Sequence, residues 1–175
     1  MRRLAVILAL GLLSVRAPAA VPGQPLGLGD PAPEASGIVL SGPAGSRLSA
    51  HAGKVVVVEF WASWCGPCVQ SMPELDALRQ RLHEEGHADD FEVIGVATDQ
   101  EPAKARAFLQ RVPVSFPVVV DMIGIAPRAY GIWRLPSTYL IDRQGRISMI
   151  YAGYGKGYTA ELRERVLQLL AAPRP

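Results

Sequence analysis

Phe60-Trp61-Ala62-Ser63-Trp64-Cys65-Gly66-Pro67-Cys68 lies between an apolar run and the start of a helical pattern, and it holds both cysteines of this 175-residue chain. Upstream, Val55 to Phe60 reads as a strand buried on both faces, because its β-branched residues run continuously instead of alternating. Downstream, Val69, Met72, Leu75, Leu78 and Leu82 recur at three- and four-residue spacing, which predicts a helix from Pro67 to about Glu85 with those residues inward. Pro67 suits the first turn of that helix. Pro73 falls inside it, cannot bond the Val69 carbonyl, and predicts a kink. The first cysteine thus meets the helix mouth, where unpaired N–H groups favour a thiolate, with the second within disulfide reach. Such a thiolate attacks a foreign disulfide and its neighbour resolves the mixed disulfide, so two residues complete a two-electron exchange without a cofactor.

Outward from this stretch, strands and helices alternate. Phe91 to Ala97 is a second buried strand, followed by a helix from Glu101-Pro102 that ends before Pro113. Phe116 to Val120 is a strand and Ile125 to Tyr130 a short helix. Thr138 to Ile141 and Ile147 to Tyr151 form a hairpin across Asp142-Arg143-Gln144-Gly145-Arg146. Thr159 caps a last helix through Leu170, with Leu162, Val166, Leu169 and Leu170 inward. Near the start, Ile38 to Leu40 and Ser46 to Leu48 suggest an edge hairpin around Ser41-Gly42-Pro43-Ala44-Gly45. The order predicts an α/β fold, a mixed sheet with helices on both faces.

The first residues have a different character. Met1-Arg2-Arg3, an uncharged apolar stretch from Leu4 to Val15, and Arg16-Ala17-Pro18-Ala19-Ala20 read as a secretory signal over 1–20, cut after Ala19 or Ala20. That apolar stretch is too short for a bilayer, which takes about 20 residues, although an uncleaved and poorly anchored form is a second reading. Residues 21–35, rich in Pro and Gly, read as an extended leader, and 36–171 as one domain. The predicted signal holds three arginines and no acid, so 18 basic residues fall to 15 against 16 acidic and the charge becomes about −1. No basic cluster remains to argue for nucleic acid. An exported domain of this size needs no staple, so its single close cysteine pair points to a working disulfide.

Trp61-Ala62-Ser63-Trp64-Cys65-Gly66-Pro67-Cys68 with Met72-Pro73, and Leu135-Pro136-Ser137-Thr138-Tyr139-Leu140-Ile141-Asp142 downstream, resemble the thioredoxin superfamily, in particular its exported TlpA/ResA/CcmG-like branch. The resemblance runs from about Gly29 to Leu170. It implies a thioredoxin-like fold with a central insertion, supplied by the helix at Pro102 to Gln110 and the strand at Phe116 to Val120. Cys65 would be the attacking thiolate and Cys68 the buried resolving thiol. Pro136 matches the superfamily's cis-proline facing the cysteines, and Leu135 before it would pair its backbone with an extended substrate segment. Trp64, Gly66, Pro67, Leu135 and Pro136 make up the expected substrate-binding set, and Trp61, Trp64 and Trp133 an expected apolar docking rim.

Glu59 occupies the position of thioredoxin's buried aspartate, where the exported branch often has asparagine. An acid on a buried strand has its pKa raised and can exchange a proton with Cys68. Against this, ResA-like proteins commonly carry a glutamate where this chain has Ser71, three residues after Cys68. The implied activity is a thiol-disulfide oxidoreductase, without cofactor, in the periplasm or an equivalent space. It would reduce cysteine pairs of exported proteins such as apocytochromes c or copper-site proteins, would be recharged by a membrane thiol relay, and would be a monomer. Gly66-Pro67 matches reducing thioredoxin, near about −270 mV, and not oxidants near about −120 mV.

Four rivals stand beside that reading. One is a disulfide oxidase or isomerase. A peroxiredoxin-like peroxidase would want proline at 58 and threonine at 62, where the chain has Val58 and Ala62. A non-redox zinc module is suggested by the spacing Cys65-x2-Cys68-x14-His83-x3-His87. An inert structural disulfide would close almost no loop and gain little.

Overall fold

The computed structural model describes residues 26–44 and 46–173. The expected signal over 1–20 and the leader's first residues, 21–25, lie outside the described residues. Strands β1 (Ile38–Ser41), β2 (Val55–Trp61), β3 (Phe91–Ala97), β4 (Val118–Val120), β5 (Ser137–Ile141) and β6 (Ile147–Ala152) alternate with helices α1 (Cys68–Leu82), α2 (Pro102–Arg111), α3 (Ile125–Ala129) and α4 (Tyr158–Ala171). The six strands form one sheet in the order β1-β4-β3-β2-β5-β6. β2, β3 and β4 run parallel, and β1, β5 and β6 are each antiparallel to their neighbours. This is the thioredoxin-like mixed sheet that the resemblance implies.

Every residue of β2 is buried, as the continuous Val run requires of a strand at the centre of a covered sheet. Val57 and Trp61 face a core that includes Met72 and Leu75 of α1 and Val166 of α4, and Val56, Val58 and Phe60 face the opposite core with Tyr130 and Tyr139. A fully buried Val or Phe contributes about 1.5–3 kcal/mol. Several flank Glu59 on β2, so the strand outweighs the cost of enclosing one carboxyl group. On the first of these faces the neighbouring strand makes room: a Cβ at Gly95 would lie 3.0 Å from the Phe116 ring and 3.2 Å from Trp61 Nε1.

Four local expectations change. The N-terminal hairpin reduces to a single antiparallel bridge between Ser36 and Arg47. Leu48–His51 coils into a 3-10 turn, while β1 takes its partner from β4. Pro73 is accommodated within one continuous α1, which runs on through a π-helical turn at His83–His87; there Gly86 adopts φ 96° and the chain turns toward β3. Val69 is half exposed, because the buried stripe of α1 runs through Cys68, Ser71, Met72 and Leu75 instead. Thr159 does not cap α4. Gly157 holds the cap position, and the Thr159 hydroxyl donates to Glu74 Oε2 at 2.7 Å, joining α4 to α1.

Candidate functional site

β2 ends at Trp61 and α1 begins at Cys68, so the residues between must turn the chain at the C-terminal end of the parallel strands. The turn closes on itself. Cys65 N–H donates to Ala62 O at 3.0 Å, Cys68 N–H to Cys65 O at 3.2 Å and Val69 N–H to Gly66 O at 3.2 Å. These three-residue bonds occupy donors that a bare helix start leaves free, so the helix dipole remains as the backbone contribution favouring a thiolate. A second tie comes from β3's exit. Asp99, itself buried, accepts Ser63 N–H at 2.9 Å and Ser63 Oγ at 2.6 Å, pinning the turn two residues before Cys65.

Cys65 and Cys68 form a disulfide with Cα atoms 5.4 Å apart. The two sulfurs are not equivalent. Cys65 lines a hollow of about 290 Å³ with Trp64, Gly66, Val69 and Arg111, whereas Cys68 is fully enclosed. Of the two, Cys65 is the one that borders the surface.

Glu59 is completely buried beside α1. Ser71 Oγ, one turn along the helix from Cys68, donates to its Oε1 at 3.0 Å, and Thr138 Oγ1 donates to its Oε2 at 2.6 Å. Burial pushes the carboxyl up to about 7, although both hydroxyl bonds pull the other way. A carboxyl shifted that far changes its protonation state near neutrality. Ser71, three residues after Cys68, is therefore not inert: it anchors Glu59.

Leu135-Pro136 is a cis peptide bond, and Pro136 is buried just before Ser137, which pairs with Phe60. It lies at the same end of the sheet as the cysteine turn. Of the three tryptophans, Trp61 belongs to the core, its ring centroid 4.8 Å from that of Phe108. Trp64 and Trp133 are 72 % and 79 % exposed. The zinc spacing does not close in space. α1 separates Cys68 from His83 by about 22 Å of helix, and His83 Nε2 is bonded to Phe91 O at 3.0 Å. Among the described residues no group of three or more potential ligands assembles.

The residues around Glu59 carry the least signal in the sequence. Thr138 sits in the quoted Leu-Pro-Ser-Thr stretch, yet only register reveals that it faces Glu59 across β2 and β5. Asp99 carried one signal, an acid at the exit of a buried strand.

A family model described as Redoxin matches residues 28–166. The chain belongs to the Redoxin family. It is a thioredoxin-superfamily protein of ResA/CcmG-like type. It is 33% identical over 107 residues to the thiol-disulfide oxidoreductase ResA of Geobacillus thermodenitrificans, covering 61% of this chain and 59% of that protein. It is 34% identical over 128 residues to the thioredoxin-like protein YneN of Bacillus subtilis, covering 71% of each. Among solved structures, a Chlorobium tepidum protein assigned as the thiol:disulfide interchange protein DsbE superposes with a TM-score of 0.73 at 35% identity, covering 83% of this chain and 99% of that one. This Redoxin domain thus spans nearly all of that structure but about three fifths of the length of ResA. No helix among the described residues is long and apolar enough to cross a membrane.

Proposed function

We propose that this Redoxin-family protein is an extracytoplasmic thiol-disulfide oxidoreductase that reduces specific cysteine pairs of exported proteins. The observation that carries the reading is the unequal disulfide: Cys65 opens onto a surface hollow and Cys68 is sealed beneath it. In the dithiol form the Cys65 thiolate attacks a partner disulfide. One partner thiolate leaves and a Cys65–partner bond forms. Cys68 then loses its proton to Glu59 and attacks Cys65, the mixed disulfide breaks, and the partner's second sulfur leaves as a thiolate. Two electrons have passed to the partner, and the Cys65–Cys68 disulfide waits for a membrane thiol relay.

Trp64 and Val69 flank the hollow, and their exposure suits an apolar partner segment. Gly66, Pro67, Leu135 and Pro136 are the remaining substrate contacts in this reading, with Leu135 offering strand-like pairing. Export rests on the signal read in 1–20, and N-terminal sequencing of the exported protein checks it. Haem-attachment and copper-site cysteines are the substrate classes proposed from the family resemblance.

The test is the potential of the Cys65/Cys68 pair together with trapping by Cys68→Ser. A reductase gives a potential near thioredoxin's, about −270 mV, and a trap holding a few proteins through defined cysteine pairs. A potential near about −120 mV with many unfolded proteins in the trap replaces this reading with disulfide formation.

A further inference from the structure

Glu59 shares one lateral row of the sheet with Gly95 of β3, Thr138 of β5 and Tyr151 of β6. Residues paired in register project from the same face. Over the far end of this row lies Tyr158 of α4, its ring centroid 5.0 Å from that of Tyr151 and 5.8 Å from that of Tyr154. The side chain is 2 % exposed, and its hydroxyl is enclosed without a hydrogen-bond partner among the described residues. Thr138 is near enough to act on that hydroxyl, and no hydrogen bond joins the two. Thr138 gives its own proton to Glu59, and the lone pairs of its oxygen can still accept. An enclosed donor therefore stands one hydroxyl away from a buried acid.

Tyr158 keeps its proton at any working pH, because burial and then the charge of Glu59 push the phenol far up. The groups facing Glu59 come from every element packed against it: Ser71 of α1 with Cys68 one turn earlier, Thr138 of β5 and Tyr158 of α4, while β3 offers only Gly95 at that register. Ser71 is the other donor already in place. On the solvent side, Glu74 and Tyr154 also bear on the phenol and are hydrogen-bonded to each other.

We propose that Tyr158 is a positioning residue for proton exchange at Glu59. When Glu59 is ionised, the Tyr158 hydroxyl donates to Thr138 Oγ1, which polarises the Thr138 O–H toward the carboxylate. When Glu59 is protonated, the bond is released. An unpaired buried donor is costly, so the hydroxyl closes a bond whenever the acceptor's charge makes that bond stronger. The bond favours the charged form of the acid and keeps Glu59 able to take the Cys68 proton near neutrality. The proposal rests on the reading of Glu59 as the proton acceptor, and it adds the residue that sets the acceptor's affinity.

Tyr158→Phe keeps the ring and removes only the hydroxyl. The first readout is the Glu59 titration midpoint by carboxyl carbon-13 NMR in the full-length disulfide form, where Cys68 carries no proton. The expected result is a rise of about half to one pH unit, together with slower resolution of a mixed disulfide below the new midpoint. On a Thr138→Val background, Tyr158→Phe should add no further rise. An unchanged midpoint, or the same rise on both backgrounds, overturns the proposal. Glu59→Gln separates the two layers. If it leaves the pH profile of resolution unaltered, the acceptor reading fails, whereas the NMR midpoint still judges the coupling to Tyr158. Should Tyr158→Phe not fold, 3-fluorotyrosine at position 158, a stronger donor, must lower the midpoint, and no movement overturns the proposal.

Discussion

Glu59 is the residue at which folding and chemistry pull in different directions. The folded protein holds its proton up to about pH 7, and the unfolded chain releases it near the ordinary value of 4.5. Between those limits the folded state binds the extra proton, so stability is greatest below 4.5 and declines as pH rises through the window. Glu59→Gln removes the titration. Urea unfolding across pH should show the variant gaining on the wild type from about pH 4.5, with the advantage levelling off above 7 at no more than roughly 3 kcal/mol. A constant difference between the two proteins would mean that Glu59 titrates alike folded and unfolded. An acid on an apolar strand was legible in the sequence. Its hydrogen-bond partners were not, because Ser71 and Thr138 become partners only when α1 and β5 pack on either side of β2.

Among the elements, α1 begins at Cys68 and is tied to the rest of the fold by charge as well as by its apolar stripe. Arg79 makes a bidentate contact with Glu92 of β3. Burial alone would raise Glu92, but the Arg79 guanidinium and the Val93 N–H outweigh it and hold the carboxyl below its ordinary value. Arg79→Ala strands a mostly buried carboxylate and should cost about 2 kcal/mol near neutrality. Because a depressed carboxyl stabilises above its unfolded pKa, the gap to the wild type should close as pH falls below about 4.5. Thermal unfolding at pH 7 and pH 3.5 measures both values. β2 and β3 could be read from the chain because continuous β-branched runs admit one answer for a covered sheet. The partner of β1 could not, since β4 lies about eighty residues away and outcompetes the nearby Ser46 to Leu48 for its edge. Thr159 leaves the cap position for a related reason. A carboxylate on another helix accepts its hydroxyl more strongly than its own backbone does.

For the whole molecule, the disulfide is a small part of what holds the fold together. It joins residues three apart, and closing so short a loop contributes about 2 kcal/mol or less. Both redox forms should therefore melt as folded, cooperative units a few degrees apart. A reduced form that melts without a transition would show the bond to be structural. Sheet topology decides where this bond faces. From the N-terminal side, the described chain is laced to the β5–β6 hairpin: Gly29 N–H donates to Ile147 O at 2.7 Å, Ile147 N–H to Asp30 O at 2.9 Å, and Ala32 N–H to Gly145 O at 2.9 Å. That hairpin adjoins Ile141, which pairs with Val56 at the start of β2, while Cys65 lies beyond the end of the same strand. The two poles are thus roughly 20 Å of strand apart. The described chain therefore enters the fold at its heel, and the sulfurs face away from that point of entry.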